Sequence, residues 1–212
     1  MTMHPAKPGT GILFRRSDLP GMPEVPADSR YITSTMRATT LEKGPAKVFT
    51  VEHLLSALYA LNIDNCIIEM DSPEPPVGDG SAKTFVDMVE EAGIEEQDEE
   101  IPILTLDRSV AIYEGKKFIT ALPYDGLRIT FTSINPHPLL GTQMVDIVID
   151  HDSYMKEIAS ARTIGFTWEL EAMRKMGLGK GGTLENAVVY SETDCLSLPR
   201  FKDEMVRHKI LD

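Results

Sequence analysis

An imidazole and a carboxylate four residues apart, His208 and Asp212, share a helical stripe with Phe201 and Met205, at separations of four, three and four residues. Apolar company on that stripe turns His208 and Asp212 inward, and inward polar groups need partners. No other feature constrains the fold as much, because those partners have to arrive from elsewhere in the chain. A second imidazole beside a carboxylate, Glu52-His53, opens a much earlier helical pattern in which Val51, Leu54, Leu55, Leu58 and Leu61 line one face. Thr50 stands where an N-cap belongs. Two His and one Asp from two distant helices, with water in a fourth position, form a zinc ligand set suited to hydrolysis, because the metal makes hydroxide near neutral pH. Each piece alone is a weak signal. With five histidines and 33 acidic residues, an His-x3-Asp spacing arises readily by chance, and by itself it reads as an ordinary polar helix face. Glu52-His53 by itself reads as a helix first turn with its acid near the positive end of the macrodipole.

Composition narrows the field. The 212 residues are 42% hydrophobic, enough for proper cores, and the formal charge of −12 argues against broad attraction to nucleic acid or anionic lipid. Cys66 and Cys195 form no CxxC pair, so they read as reduced, buried thiols rather than a disulfide framework or a cysteine zinc site. No apolar run approaches the roughly 20 residues that span a bilayer, and no signal segment follows Met1, which points to a soluble cytoplasmic protein.

Along the chain, residues 11–16 predict a strand, 18–26 a proline-rich loop, 31–41 a β segment and 65–70 a buried strand. Ala82, Phe85, Val86, Val89 and Ala92 predict a second helix closed by Gly93. The acidic run from Glu95 to Glu100 marks a boundary, giving units 1–97 and 98–212. Strands are expected at 103–106, 110–113, 118–122, 127–132 and 144–149, spaced as a meandering sheet. Helices are expected at 154–160, at 167–176 ending near Gly177, and after Pro199. The fold class is therefore α+β. The run Gly177-Leu178-Gly179-Lys180-Gly181-Gly182 is no phosphate loop, since Gly181 stands where a Walker motif needs Ser or Thr. His4, His137 and His151 read as surface histidines.

Six pieces stand in a characteristic order and spacing: Gly11-Ile12-Leu13-Phe14-Arg15-Arg16, Thr50-Val51-Glu52-His53-Leu54, Asp79-Gly80-Ser81-Ala82, Ser160-Ala161-Arg162-Thr163-Ile164-Gly165-Phe166, Gly179-Lys180-Gly181-Gly182 and Val206-Arg207-His208-Lys209-Ile210-Leu211-Asp212. Their collinearity, over nearly the whole chain, resembles the zinc-dependent UDP-3-O-acyl-N-acetylglucosamine deacetylases of lipid A biosynthesis. The resemblance implies two similar domains, each a sheet with two helices, packed helix layer to helix layer around the site. It implies zinc ligation by His53, His208 and Asp212, with Glu52 as general base. Thr163 is the implied hydrogen-bond donor to the oxyanion, and Lys209 the cation for developing charge or substrate phosphate. Ile164, Gly165 and Phe166 are implied to line the substrate pocket, and the region 165–189 resembles an insert that shapes a passage for the acyl chain. The implied partner is the UDP-linked acylated glucosamine, with no nucleic acid. The resemblance also implies that amino-terminal strands, and a carboxy-terminal part bearing a further catalytic His, lie outside this stretch, which alone is then expected to hold zinc weakly. Two other classes stay open here: an inactive fragment, and a zinc amidohydrolase acting on another acylated amino sugar.

Overall fold

The structure, a computed structural model, describes residues 1–175, 179 and 181–212. The first half runs β1 (Thr2–Pro5), β2 (Ile12–Arg16), β3 (Glu24–Pro26), β4 (Ile32–Ser34), β5 (Thr40–Lys43), β6 (Ala46–Phe49), α1 (Glu52–Ala60), β7 (Cys66–Met70) and α2 (Lys83–Ala92). The second runs β8 (Val110–Glu114), β9 (Lys117–Ala121), β10 (Leu127–Ile134), β11 (Thr142–Ile149), α3 (His151–Glu157), β12 (Ile164–Phe166), α4 (Thr167–Lys175), β13 (Val188–Tyr190) and α5 (Glu204–Leu211).

Alternation decides the first half. Phe14 in β2 and Ile68 in β7 are fully buried between less buried neighbours, as a sheet with one core-facing side requires. These strands form a sheet ordered β1-β7-β2-β3, in which β2 and β7 run parallel and the outer pairs antiparallel. Strands β4, β5 and β6 form a separate antiparallel sheet. Of the predicted stripe Val51, Leu54, Leu58 and Leu61 are buried and Leu55 is half-buried, with His53 and Ala57 of α1 buried beside them, and α2 buries Phe85, Val86 and Val89 before Gly93 ends it with φ of 84°.

One hydrophobic core joins the two halves. Val51, Leu54 and Leu58 belong to the same buried cluster as Tyr154, Ile158, Ile210 and Leu211, with alternate residues of β10 and β11 packed against it. A smaller cluster of Leu140, Val188 and Tyr190 sits beneath β12 and β13, which pair in parallel.

Several expectations need correction. Thr50 does not cap α1: it has φ of 58° and its hydroxyl donates to Glu74 Oε1 at 2.7 Å, while Val51 occupies the cap with no side-chain bond. The proline-rich 18–26 segment ends in strand β3, where Pro26 is tolerated because β3 is an edge. The 31–41 segment divides into β4 and β5, and 103–106 forms no strand. The meandering sheet is two separate hairpins, β8–β9 and β10–β11. β10 and β11 lay one face on the core, whereas every residue of β8 and β9 is exposed, so nothing draws the hairpins into one ladder. The third helix begins earlier than expected, at His151, because Asp150 and Ser153 form a reciprocal capping box. Phe201 precedes α5, whose buried positions are Glu204, Val206, His208, Ile210 and Leu211, leaving Met205 half-buried. The expected helix end near Gly177 lies outside the described residues. The thiols Cys66 and Cys195 are free, the first buried and the second half-buried.

Candidate metal centre

Helices α1 and α5 meet through their histidines. The His53 and His208 rings stand edge to face with centroids 5.0 Å apart. Asp212, one turn after His208, turns Oδ1 toward both: 3.4 Å from His208 Nε2 and 3.7 Å from His53 Nε2. One donor atom from each of the three lies within 4.8 Å of the others. The two distances to Asp212 Oδ1 are close to the edge of a tetrahedron with metal bonds of about 2 Å, which is about 3.3 Å.

Protonation suits the same purpose. Burial, reinforced by the facing His208, pushes His53 down to about 4. Burial also lowers His208, so both imidazoles are neutral near pH 7 and carry a lone pair. For Asp212, burial works upward, but the facing His208 and the Lys209 ammonium outweigh it and hold the carboxyl below its ordinary value. Lys209 Nζ donates to Asp212 Oδ2 at 2.7 Å, leaving Oδ1 for the centre. Two neutral imidazoles and one carboxylate, converging without hydrogen bonds among themselves, fit a divalent zinc ion.

Glu52 lies beside this group but outside it. Adjacent helical residues point about 100° apart, so Glu52 leaves α1 in a different direction from His53. Glu52 Oε2 instead accepts the Thr39 backbone N–H at 3.1 Å. An apolar-lined cavity of about 700 Å³ opens there, bordered by Thr39, Glu52, Leu55, Ile210 and Asp212. Burial raises the Glu52 carboxyl and the Asp212 charge adds to it, against the Thr39 hydrogen bond, so the net shift is upward. Thr163 Oγ1 is 3.4 Å from His53 Nε2. The remaining expected residues sit less directly. Ile164, Gly165 and Phe166 follow Thr163 in β12 and are half-buried; Ile164 and Phe166 pack on the smaller cluster, and none of the three borders the cavity beside Glu52. Phe166 stacks on Trp168 with centroids 4.7 Å apart.

Other groups that shape the site carry little sequence signal. His137 is not a surface residue: it is 5% exposed, ringed by Phe166, Trp168 and Tyr190, with Nε2 donating to Ser191 O at 2.7 Å. His4 is half-buried near Glu69, and His151 is exposed as expected. The Arg37 guanidinium makes a two-pronged pair with Glu169 at 2.8 and 2.9 Å, tying the loop that carries Thr39 to α4. Asp79 accepts from Ser81 and Thr84 through Oδ1 and from Arg200 through Oδ2, and Gly80 O accepts the Thr163 N–H at 3.0 Å. Ala161 O accepts from His208 Nδ1 at 3.0 Å.

The chain is similar to known proteins over its whole length. Residues 1–212 match the family described as LpxC, UDP-3-O-acyl N-acetylglycosamine deacetylase. Proteins called UDP-3-O-acyl-N-acetylglucosamine deacetylase are similar throughout: one from Pseudomonas entomophila is 43% identical over 216 residues, and one from Bdellovibrio bacteriovorus is 42% identical over 215. A Legionella pneumophila protein of that name is 42% identical over 216 residues. In each comparison all of this chain is covered and 71% of the relative. With a family match from end to end and relatives at this identity, the chain belongs to the UDP-3-O-acyl N-acetylglycosamine deacetylase family.

Proposed function

We propose that the protein hydrolyses the acetamide of UDP-3-O-acyl-N-acetylglucosamine, releasing acetate, as a zinc amidohydrolase of lipid A biosynthesis. The observation that carries this reading is the convergence of His53, His208 and Asp212, in a chain of the deacetylase family, with Glu52 held beside the group rather than in it. His53 and His208 Nε2 and Asp212 Oδ1 would hold the ion. Zinc bound there supplies Lewis acidity toward the acetamide carbonyl and the attacking water.

The rest is the work of the protein's own groups. Glu52, with its carboxyl raised by burial and one oxygen pinned by Thr39, takes the proton of the attacking water; a carboxylate bound to a metal would be a poorer base. The Thr163 hydroxyl, at the mouth of the donor group, donates to the oxyanion that forms on the acetamide. Lys209, a half-exposed cation beside Asp212, steadies that carboxylate and adds positive charge facing the substrate. Phe166, Gly165 and Ile164 form the apolar flank along which the acylated sugar lies. We read residues 1–97 and 98–212 as two α+β units whose helices α1 and α5 meet through His53 and His208. Among the described residues no helix is long and apolar enough to cross a membrane, consistent with action on a UDP-sugar in the cytoplasm.

The test is deacetylation of the UDP-linked acyl glucosamine by protein stripped with a chelator and then given stoichiometric zinc, beside a simple N-acetylated sugar. Activity should vanish and return with the metal, and favour the UDP-linked substrate. Full activity after stripping, or equal turnover of the simple sugar, would sink the reading.

A further inference from the structure

Two side chains of α5 one turn apart, Glu204 and His208, grip opposite ends of a single peptide group. The amide joining Ala161 to Arg162 donates its N–H to Glu204 Oε1 at 3.0 Å, and its carbonyl accepts from His208 Nδ1 at 3.0 Å. A carbonyl oxygen only accepts, so His208 carries its proton on Nδ1 and its lone pair on Nε2, the atom facing Asp212. The Glu204 carboxylate is 1% exposed and fully occupied: it also accepts from Arg162 Nε at 2.9 Å, Arg162 Nη2 at 3.3 Å and the Arg200 N–H at 2.6 Å. Arg162, 5% exposed, spends its other donors on Glu185 O and Leu198 O.

A buried ion pair is a poor way to gain stability, because desolvation of both charges offsets their attraction and apolar residues of similar volume do as well. This pair therefore calls for another role, and its placement supplies one. A carboxylate on the N–H side of a peptide polarises it and makes its carbonyl a stronger acceptor. Metal-binding histidines commonly have their second nitrogen held by a carboxylate or carbonyl, which fixes the tautomer and raises basicity at the first. Here both are present in series.

We propose that Glu204 is a positioning residue for His208, acting through the Ala161–Arg162 peptide, and that Arg162 holds Glu204 in place for that task. The same clamp fixes the next residue, Thr163, whose hydroxyl lies 3.4 Å from His53. This inference rests on the zinc reading of the centre and adds the charged group behind one of its ligands.

Nitrogen-15 NMR of the metal-free full chain tests the first link without any metal. His208 should be the Nδ1–H tautomer; an Nε2–H tautomer overturns the proposal. The double variant Glu204→Gln with Arg162→Met removes both charges yet leaves an oxygen for the peptide N–H; the Arg200 N–H loses its acceptor and Glu185 O and Leu198 O lose their donor. It should fold, show a diminished Nδ1–H signal, and bind zinc at least about tenfold more weakly in chelator competition. A folded variant with unchanged zinc affinity and unchanged tautomer overturns the proposal. If the variant does not fold, the wild-type tautomer alone decides. Wild-type protein that takes up no zinc would sink the metal reading, while the tautomer would still judge the relay separately.

Discussion

Replacing Gly80 by Ala should damage both fold and site, by an amount that can be worked out. Gly80 has φ of 81°, and a Cβ there would lie 1.6 Å from the Asn186 carbonyl oxygen and 2.6 Å from its carbon. Contacts under 3.0 Å essentially never occur for a real Cβ, so the backbone at Asn186 has to retreat by roughly 1.4 Å. The left-handed conformation costs an Ala about 1–2 kcal/mol, and forced overpacking typically adds about 1–3 kcal/mol. The sum, about 2–5 kcal/mol, is a large part of a typical domain's stability. Gly9 is a matched control, because its φ is 77° and nothing lies within 4 Å of its Cβ direction, so Gly9→Ala should cost only the conformational part. Gly80 O also receives the Thr163 N–H, and Val188 donates to Thr163 O, so movement at Asn186 reaches Thr163 from both sides. A displacement of about 1 Å at a catalytic group commonly costs about a hundredfold in rate. Urea unfolding of the metal-free proteins and a deacetylation assay give the two readouts. Equal destabilisation by Gly80→Ala and Gly9→Ala, or a fully active Gly80→Ala, would refute the reasoning.

Metal analysis should separate ligands from base: His53→Ala and Asp212→Ala lose zinc, while Glu52→Gln retains it and loses rate by a factor of about 100 or more. Zinc lost from Glu52→Gln would place that carboxylate in the coordination shell. Thr163→Val should lower kcat by about a hundredfold with little change in KM, as removal of an oxyanion donor does; a change confined to KM would assign it to ground-state binding. The metal-free protein should lose stability on mild acidification. His53 is held at about 4 against an ordinary 6.5, so its contribution is complete above pH 6.5 and is lost as pH falls toward about 4. That is at most about 3 kcal/mol. Denaturant midpoints at pH 7 and pH 4.5 measure it, and the slope should flatten in His53→Gln; parallel slopes would show that His53 carries none of the effect.

Legibility in the sequence followed the range of the forces. Helix α1 is plain because Val51, Leu54, Leu58 and Leu61 repeat at helical spacing and face one core, and β2 and β7 because Ile12–Phe14 and Cys66–Ile68 are short apolar runs of β-forming residues. The end of α1 was misread at Thr50, since a capping hydroxyl and one bonded across to Glu74 look identical in sequence. His137 was misplaced because prolines on both sides suggest a loop. It does lie in one, but Phe166, Trp168 and Tyr190, from 29 or more residues away, close over it. The strands of β8 and β9 were visible as β-formers, yet their failure to join β10 depends on which face finds a core. The donors His53, His208 and Asp212 were weak separately and became specific only through the resemblance. Glu204 carries no signal beyond that of an acid in a helical first turn, and the peptide at 161–162 has no side-chain signature at all, because every residue carries an N–H and a carbonyl.

What places the donors is therefore packing that belongs to neither helix alone. His53 and His208 lie on the faces that bury Leu54, Leu58 and Leu211 in one cluster, so the core that holds α1 beside α5 also sets the distance between the rings. In the metal-free arrangement the three donors make no hydrogen bonds with one another: at 3.4 and 3.7 Å the imidazole nitrogens are too far from Asp212 Oδ1 for good ones, and burial disfavours any charge they take. Hydrophobic burial around them and the satisfied Arg162–Glu204 pair offset that cost. An ion bound there would convert three poorly served polar groups into ligands and tie the first half of the chain to the second, which would make metal affinity and folding two sides of one equilibrium.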